Sequence, residues 1–352
     1  MRFCLLLGWE SDSFFWGVAE PLYHFFEPPS AVPGSNLAAG EAMRYSIFHW
    51  GLHPWAIYSV VALALAYFSF RKKSPGLMSS VFEPLLGERV NGGIGTTINV
   101  IVVIATIFGV ATSLGFGAAQ ISAGLGYLSP PIANMNEQFL KLIVIIVVTV
   151  LFMISSHTGI NKGIRILSNV NVYLAILLML FILFLGPTSY IMGVFTQGVG
   201  SYLQNLLGMS FRLDIYNPES TWVDDWTIFY WAWWISWAPF VGSFIARVSR
   251  GRTIREFVIG VLAVPALFGA LWFSVFGGTG IFLQREGIAD IFQLMSDAGM
   301  EVALFAVLEN FPLGVFISII AVLLISSFFY YVSRLGDCCP WNPDVQRQPE
   351  PG

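Results

Sequence analysis

Charge is what this 352-residue chain most lacks: Asp, Glu, Lys and Arg make up 11% of it, against about 25% in an average soluble domain. So small a share cannot clothe a water-facing surface around a chain of this length. The formal net charge of −4 offers no basic stripe, which argues against a nucleic-acid partner. Histidine and cysteine are equally sparse. His24, His49, His53 and His157 are dispersed and show no metal-ligand spacing, and there is no P-loop or dinucleotide fingerprint. Cys4, Cys338 and Cys339 all fall in the terminal segments, so no disulfide framework follows. Nucleotide-dependent, zinc-dependent and disulfide-stapled classes are set aside, and no bound cofactor is expected.

What is abundant is apolar surface: 56% of residues are hydrophobic and the mean hydropathy is +0.72. A bilayer crossing needs about 20 apolar residues. Stretches near 10–26, 46–70, 98–124, 138–157, 168–192, 226–247, 256–282 and 313–333 qualify. The expected fold class is all-α, a multi-pass membrane protein with about eight transmembrane helices in a lipid bilayer. Arg71, Lys72, Lys73 and Arg89, then Lys162 and Arg165, then Arg247, Arg250, Arg252 and Arg255 occupy alternate loops, whereas the others hold only Arg44, Lys141, Arg212 and Arg285. The positive-inside rule makes the first set cytoplasmic. It leaves 27–43, 125–137, 193–225 and 283–312 outside. Amphipathic pieces near 197–208 and 299–311 are expected to lie along the interface rather than cross it.

Trp231, Trp233, Trp234 and Trp237, four of the chain's twelve tryptophans, crowd into the apolar run Phe229–Phe240. On an ideal helix Tyr230, Trp233, Trp234 and Trp237 share a face of roughly 100°. Trp50, Trp55 and Tyr58 fall within about 140°, an arc that Pro54 perturbs. Two such faces suit a cation without hydrogen-bond donors, such as a quaternary ammonium group, each desolvated ring adding roughly 0.5–2 kcal/mol. The alternative is that these are interface-belt or packing aromatics. Belt residues cluster at helix ends, whereas Trp233, Trp234 and Trp237 lie mid-span.

The third stretch is rich in small residues and carries Thr106, Thr112 and Ser113. Hydroxyls with freed backbone carbonyls can hold Na⁺ where a transporter helix unwinds; the plainer reading is that they bond their own helix backbone. Glu20 is the notable acidic residue near the outer end of the first span, a helix-end or network group or else a proton carrier. The basic run Arg247–Glu256 reads as a cytoplasmic loop or a regulatory contact.

The run Trp226–Gly242, followed by Arg250-Gly-Arg-Thr-Ile-Arg-Glu-Phe257, closely resembles the signature of the betaine/carnitine/choline transporter family. So do Phe15-Trp-Gly-Val-Ala-Glu-Pro-Leu-Tyr23, His49–Tyr58 and Asn161-Lys-Gly-Ile-Arg165, and the resemblance covers about residues 14–329. It implies a twelve-helix, LeuT-like transporter of two inverted five-helix repeats, with substrate held between them near the midplane. It implies a box around the trimethylammonium group made of Trp50, Trp55, Tyr58 and Trp234, with Trp231 and Trp237 on the path to either side and Phe15 as a gating ring. Sodium-coupled members carry two threonines one turn apart. This chain has Thr106 but Val110, which weakens that cation site, while Phe240 beside it is retained. A homotrimer in the cell membrane is implied as well.

The expected function is secondary active transport of a quaternary ammonium osmolyte, foremost sodium-coupled glycine betaine uptake. Choline or carnitine transport or exchange remains open, as does an inactive truncated fragment. A membrane enzyme would need carboxylate or histidine clusters within the spans, and beyond Glu20 none is evident.

Both ends depart from the family pattern. Residues 14–329 read as the core, family helices three to ten with an incomplete second repeat, and residues 1–13 and 330–352 read as out of frame. After Phe329 the family's Ile-Thr-Ser-Ala-Asp-Ser-Gly is replaced by Tyr330-Tyr-Val-Ser-Arg-Leu-Gly336, as one surplus base would produce, and Gly8–Ser13 hides a glycine-rich motif one base away. The restored codon overlapping Ser11 and Asp12 encodes Gly or Arg, whereas choline-selective members often have Asp there, so Gly favours betaine. The second cation site of the family draws on both motifs, so the polypeptide as translated is expected to be inactive and the intact gene product to transport. Resequencing the locus is expected to reveal two single-base slips; codons that cannot be realigned at either end would sink this reading.

Overall fold

The computed structural model describes residues 10–158 and 161–334, and their side chains except at 10–11, 151–152, 155–168 and from 328 onward. Every described regular element is helical, so the all-α expectation holds. Helix α1 (Glu10–Phe26) coincides with the first expected span. Helices α2 (Asn36–Trp50) and α3 (Leu52–Ala66) form, with a π-helical turn over Tyr67–Arg71, one 36-residue run that replaces the expected 46–70. Its early start is fixed by Ser35, whose hydroxyl accepts from Ala38 N at 3.1 Å, an N-cap that satisfies one of the free donors of the first turn. Short helices α4 (Met78–Val81) and α5 (Glu83–Leu86) fill the following loop.

Helix α6 (Gly93–Leu128) ends where Pro130 and Pro131 begin the one-turn α7 (Pro130–Ala133), and α8 (Glu137–Thr158) follows. Helices α9 (Asn161–Leu185) and α10 (Thr188–Ser210) meet at a bend of 111°. The expected span 168–192 is therefore corrected. Pro187 has no N–H to continue the ladder, so the span stops at Leu185, and residues 188–192 join the piece expected along the interface.

Helix α11 (Phe229–Val248) is entered through a π-helical stretch, Val223–Ile228, and α12 (Ile254–Arg285) starts on a capping box between Thr253 and Glu256. Helices α13 (Ile291–Ala298) and α14 (Ala303–Leu308) precede α15 (Gly314–Arg334). Here a second expectation fails. All six residues of α14 are buried against α1, α12 and α15, so this part of 299–311 is core rather than an interfacial helix.

A helix covers each of the eight expected stretches; among the described residues Asn36–Arg71, Gly93–Leu128 and Ile254–Arg285 are long and apolar enough on their own to cross a bilayer, with the bent pair α9–α10 as a fourth. Exposed Ile101, Ile107 and Phe108 on α6, Leu142 and Ile146 on α8 and Leu177 and Phe184 on α9 present apolar faces suited to lipid rather than water. Three of the four basic residues of the loops assigned outside pair with carboxylates, Arg44 with Glu41 at 2.9 Å, Lys141 with Glu137 and with Glu301 at 3.2 Å and Arg212 with Asp214 at 2.7 Å, while Arg285 donates to the Asn36 amide oxygen at 2.6 Å. His157, Cys4, Cys338 and Cys339, the side chains of Lys162 and Arg165, and most of the two end segments lie outside the described residues.

Helix α11 packs along α3, while α1 packs against α2, α12 and α14. The α1–α12 crossing is tight. A Cβ on Gly277 would lie 2.4 Å from Pro21 Cγ and 2.8 Å from the Gly17 carbonyl oxygen. Gly277→Ala is expected to cost about 1–3 kcal/mol through overpacking, read as a lower unfolding temperature in detergent. Gly193→Ala, with nothing within 4 Å of its Cβ position, is expected to leave it unchanged.

Candidate functional site

The face read from spacing on α11 is present: Tyr230, Trp233, Trp234 and Trp237 are buried, and Trp231 is half-buried. Trp233 and Trp234 stack at 4.8 Å and 11°, and Tyr230 lies nearly parallel to both. The facing set sits where α2 gives way to α3. Gly51 forms the break, and no larger residue fits it: a Cβ there would meet the Ile47 carbonyl oxygen at 2.4 Å and the Tyr202 hydroxyl at 3.3 Å. That hydroxyl, from α10, accepts from Leu52 N at 3.1 Å and so caps the first turn of α3. The break places Trp50 at one helix end and lets Trp55 and Tyr58 follow along the next.

Trp50, Trp234, Tyr58 and Trp55 meet in series at near right angles. Trp50 and Trp234 lie 4.9 Å apart at 75°, Trp234 and Tyr58 6.3 Å at 81°, and Tyr58 and Trp55 5.6 Å at 82°. All four are buried. Crossed rings of this kind are adjoining walls, and their π faces carry the negative side of the ring quadrupole.

The remaining residues named from sequence stand at different removes. Phe15 contacts Phe116 at 5.0 Å, Phe116 contacts Trp233 at 5.5 Å, and Trp233 stacks on Trp234, so Phe15 reaches the walls through two intervening rings. Trp237 packs on Phe240 at 5.6 Å. Its indole N–H donates to the Ser113 hydroxyl at 3.2 Å, which in turn donates to the buried Asp12 carboxylate at 3.0 Å. Trp231 points elsewhere: it stacks on His53 at 5.3 Å and 14° and touches Phe48 at 5.2 Å, in a second cluster with Tyr202. Thr106 donates to the Val102 carbonyl at 2.9 Å and Thr112 to that of Phe108 at 2.9 Å. Both hydroxyls follow the plainer reading; Ser113 alone of the three leaves its own helix.

The largest omission from the sequence reading concerns Glu20, a fully buried member of a network. Its Oε1 lies 2.7 Å from His49 Nδ1 and 3.3 Å from His24 Nε2, and its Oε2 accepts from Trp50 Nε1 at 2.8 Å and from the Tyr230 hydroxyl at 2.6 Å. His49 Nε2 is 3.1 Å from the Thr227 hydroxyl, and the His49 carbonyl accepts from Trp234 Nε1 at 3.0 Å. The dispersal of histidines along the sequence is thus corrected in space. One ligand atom each from Glu20, His24 and His49 lies within 4.8 Å of the others, close enough for an ion, but both Glu20 oxygens already serve protein donors. The i, i+4 spacing of Glu20 and His24 was the one local signal of this group.

The sequence matches the family described as BCCT, the betaine/carnitine/choline family transporter, over residues 1–333. It is 52% identical over 317 residues to the glycine betaine transporter of Bacillus subtilis, covering 90% of this chain and 60% of that protein. The probable glycine betaine transporter of Desulfitobacterium hafniense is 44% identical over 316 residues, 90% and 62% of the two chains, and the ectoine/glycine betaine/proline transporter of Corynebacterium glutamicum 40% identical over 333 residues, 93% and 54%. The chain therefore spans between 54% and 62% of the length of these curated relatives. The matched signature and the crossed rings that it encodes lead to one assignment: the chain belongs to the betaine/carnitine/choline transporter family.

Proposed function

We propose that the chain is the site-bearing part of a secondary transporter in the cell membrane that moves a quaternary ammonium osmolyte, foremost glycine betaine with sodium. The observation that carries this reading is the series of four crossed, buried rings, Trp50, Trp234, Tyr58 and Trp55. They supply faces to a cation that has no donor for a hydrogen bond. The Glu20 carboxylate that accepts from Trp50 also meets Tyr230, His24 and His49, so it stands behind the rings as part of a protein network. The names of the relatives agree with a betaine-type substrate. Sodium coupling rests on the resemblance, with Phe240 retained and the Thr106 hydroxyl engaged by its own helix. Movement of one inverted repeat against the other, and assembly as a trimer, belong to the same proposal; the mass of the detergent-solubilised particle checks the latter.

Choline is a second reading for the chain as translated, which carries Asp12 where the restored codon gives Gly or Arg. Its buried carboxylate accepts from the Ser113 hydroxyl, which in turn accepts from the Trp237 indole. A negative charge beside the walls attracts a cation and repels the carboxylate of a zwitterion.

Uptake of radiolabelled glycine betaine, choline and carnitine by the frame-corrected protein, with and without sodium, tests the first reading. Betaine uptake that needs sodium is expected, with Trp234→Ala weakening apparent affinity roughly two- to thirtyfold, the range expected for one desolvated ring. Uptake indifferent to Trp234→Ala overturns the box. Choline bound in preference to betaine by the chain as translated, and a preference reversed by Asp12→Gly, establishes the second reading.

A further inference from the structure

We infer that Glu20 is the positioning residue of the quaternary ammonium site: it fixes the aromatic walls and does not itself pair with the substrate. The inference rests on the proposed function. A carboxylate offers about four lone-pair directions on two oxygens, and here four groups meet them: Trp50 and Tyr230 donate to Oε2, and His49 Nδ1 and His24 Nε2 lie 2.7 and 3.3 Å from Oε1. With the side chain fully buried, no direction remains for an ammonium head. Three of the four bear on the walls. Trp50 is a wall and is held directly through its indole N–H. Tyr230 lies behind Trp234 at 5.8 Å and 20°, so anchoring its hydroxyl fixes the surface on which that ring rests. The His49 ring bonds Glu20, while its backbone carbonyl takes the N–H of Trp234.

One carboxylate on α1 therefore sets the orientation of walls on α2 and α11. An indole has rotational freedom about two bonds, and a wall tilted away from the head loses most of its interaction, since the attraction depends on the ring face being presented. Gln at this position keeps the size but replaces one acceptor oxygen by a donating NH2, which must face a donor already in place. The anchor is lost on one side.

The test uses the full chain in nanodiscs, titrated with glycine betaine and with tetramethylammonium, in the wild type, Glu20→Gln, Tyr230→Phe and the double variant. A positioning role predicts that Glu20→Gln weakens both probes equally, by about tenfold, because both present the same head. Tyr230→Phe keeps the ring and drops one donor; it is expected to weaken both about threefold and to add little in the double variant. The indole N–H resonance of Trp50, identified by its loss in Trp50→Phe, is expected to shift in both single variants.

Loss of tetramethylammonium binding with betaine binding intact would mean direct charge pairing and overturn the inference. Unchanged binding of both probes in Glu20→Gln overturns it as well. Should Glu20→Gln not fold, Tyr230→Phe decides alone: no change in affinity or in the Trp50 resonance refutes the role. A wild-type chain that binds neither probe brings down the proposed function and this inference together, whereas wild-type binding with silent variants brings down only the inference.

Discussion

A carboxylate buried in an apolar bundle must be met by donors, because an unsatisfied charge there costs far more than any single packing contact returns. Glu20 meets that condition only if α1, α2 and α11 converge, since His24 lies on its own helix, His49 and Trp50 on the second and Tyr230 on the third. The constraint propagates outward. Once Trp50 and Tyr230 are tied to one carboxylate, Trp234 is bracketed between Tyr230 and the His49 carbonyl, and Tyr58 and Trp55 close the series from α3. The donors that make the carboxylate tolerable are thus the same groups that shape the walls.

Close approach of the helices requires small residues where backbones cross. Gly277 admits Pro21 of α1, and Gly51 allows α2 to end and α3 to begin within one residue, with Tyr202 of α10 receiving the freed Leu52 N–H. Both glycines act on the same assembly. The first brings Glu20 to its depth beside α12, and the second turns the chain so that Trp50 and Trp55 stand on different helices while remaining in one wall series.

Much of this was legible in the sequence for definite physical reasons. The end of α1 matches the one expected, because its apolar stretch stops at Phe26 just before a Pro-rich loop, and the buried face of α11 follows from helical period alone. Trp50, Trp55, Tyr58 and Trp234 come together as the resemblance implied. What failed was depth and direction. The period that marks an amphipathic helix does not say whether its apolar face meets lipid or protein, so α14 was assigned to the interface although it is core. The resemblance implies Trp231 on the substrate path; at 100° per residue its neighbours Tyr230 and Trp233 turn to the walls while its own ring stacks on His53. The Glu20 network was invisible for another reason. Three of its four bonds span 29, 30 and 210 positions, and no local pattern encodes such pairings.

The use of rings rather than a carboxylate at the walls has a consequence for transport. On the proposed function, a site that captures a cation on one side of the membrane and surrenders it on the other cannot hold it too firmly. A direct, desolvated ion pair is strong and also costly to separate. Four aromatic faces at roughly 0.5–2 kcal/mol each sum to about 2–8 kcal/mol, whose upper limit corresponds to micromolar affinity, and they do so in separable increments. Rotation of one ring removes one increment without stranding a charge. By enclosing the charge of Glu20 among four donors, the fold keeps a carboxylate's organising power within the protein and leaves the ligand to surfaces that can release it.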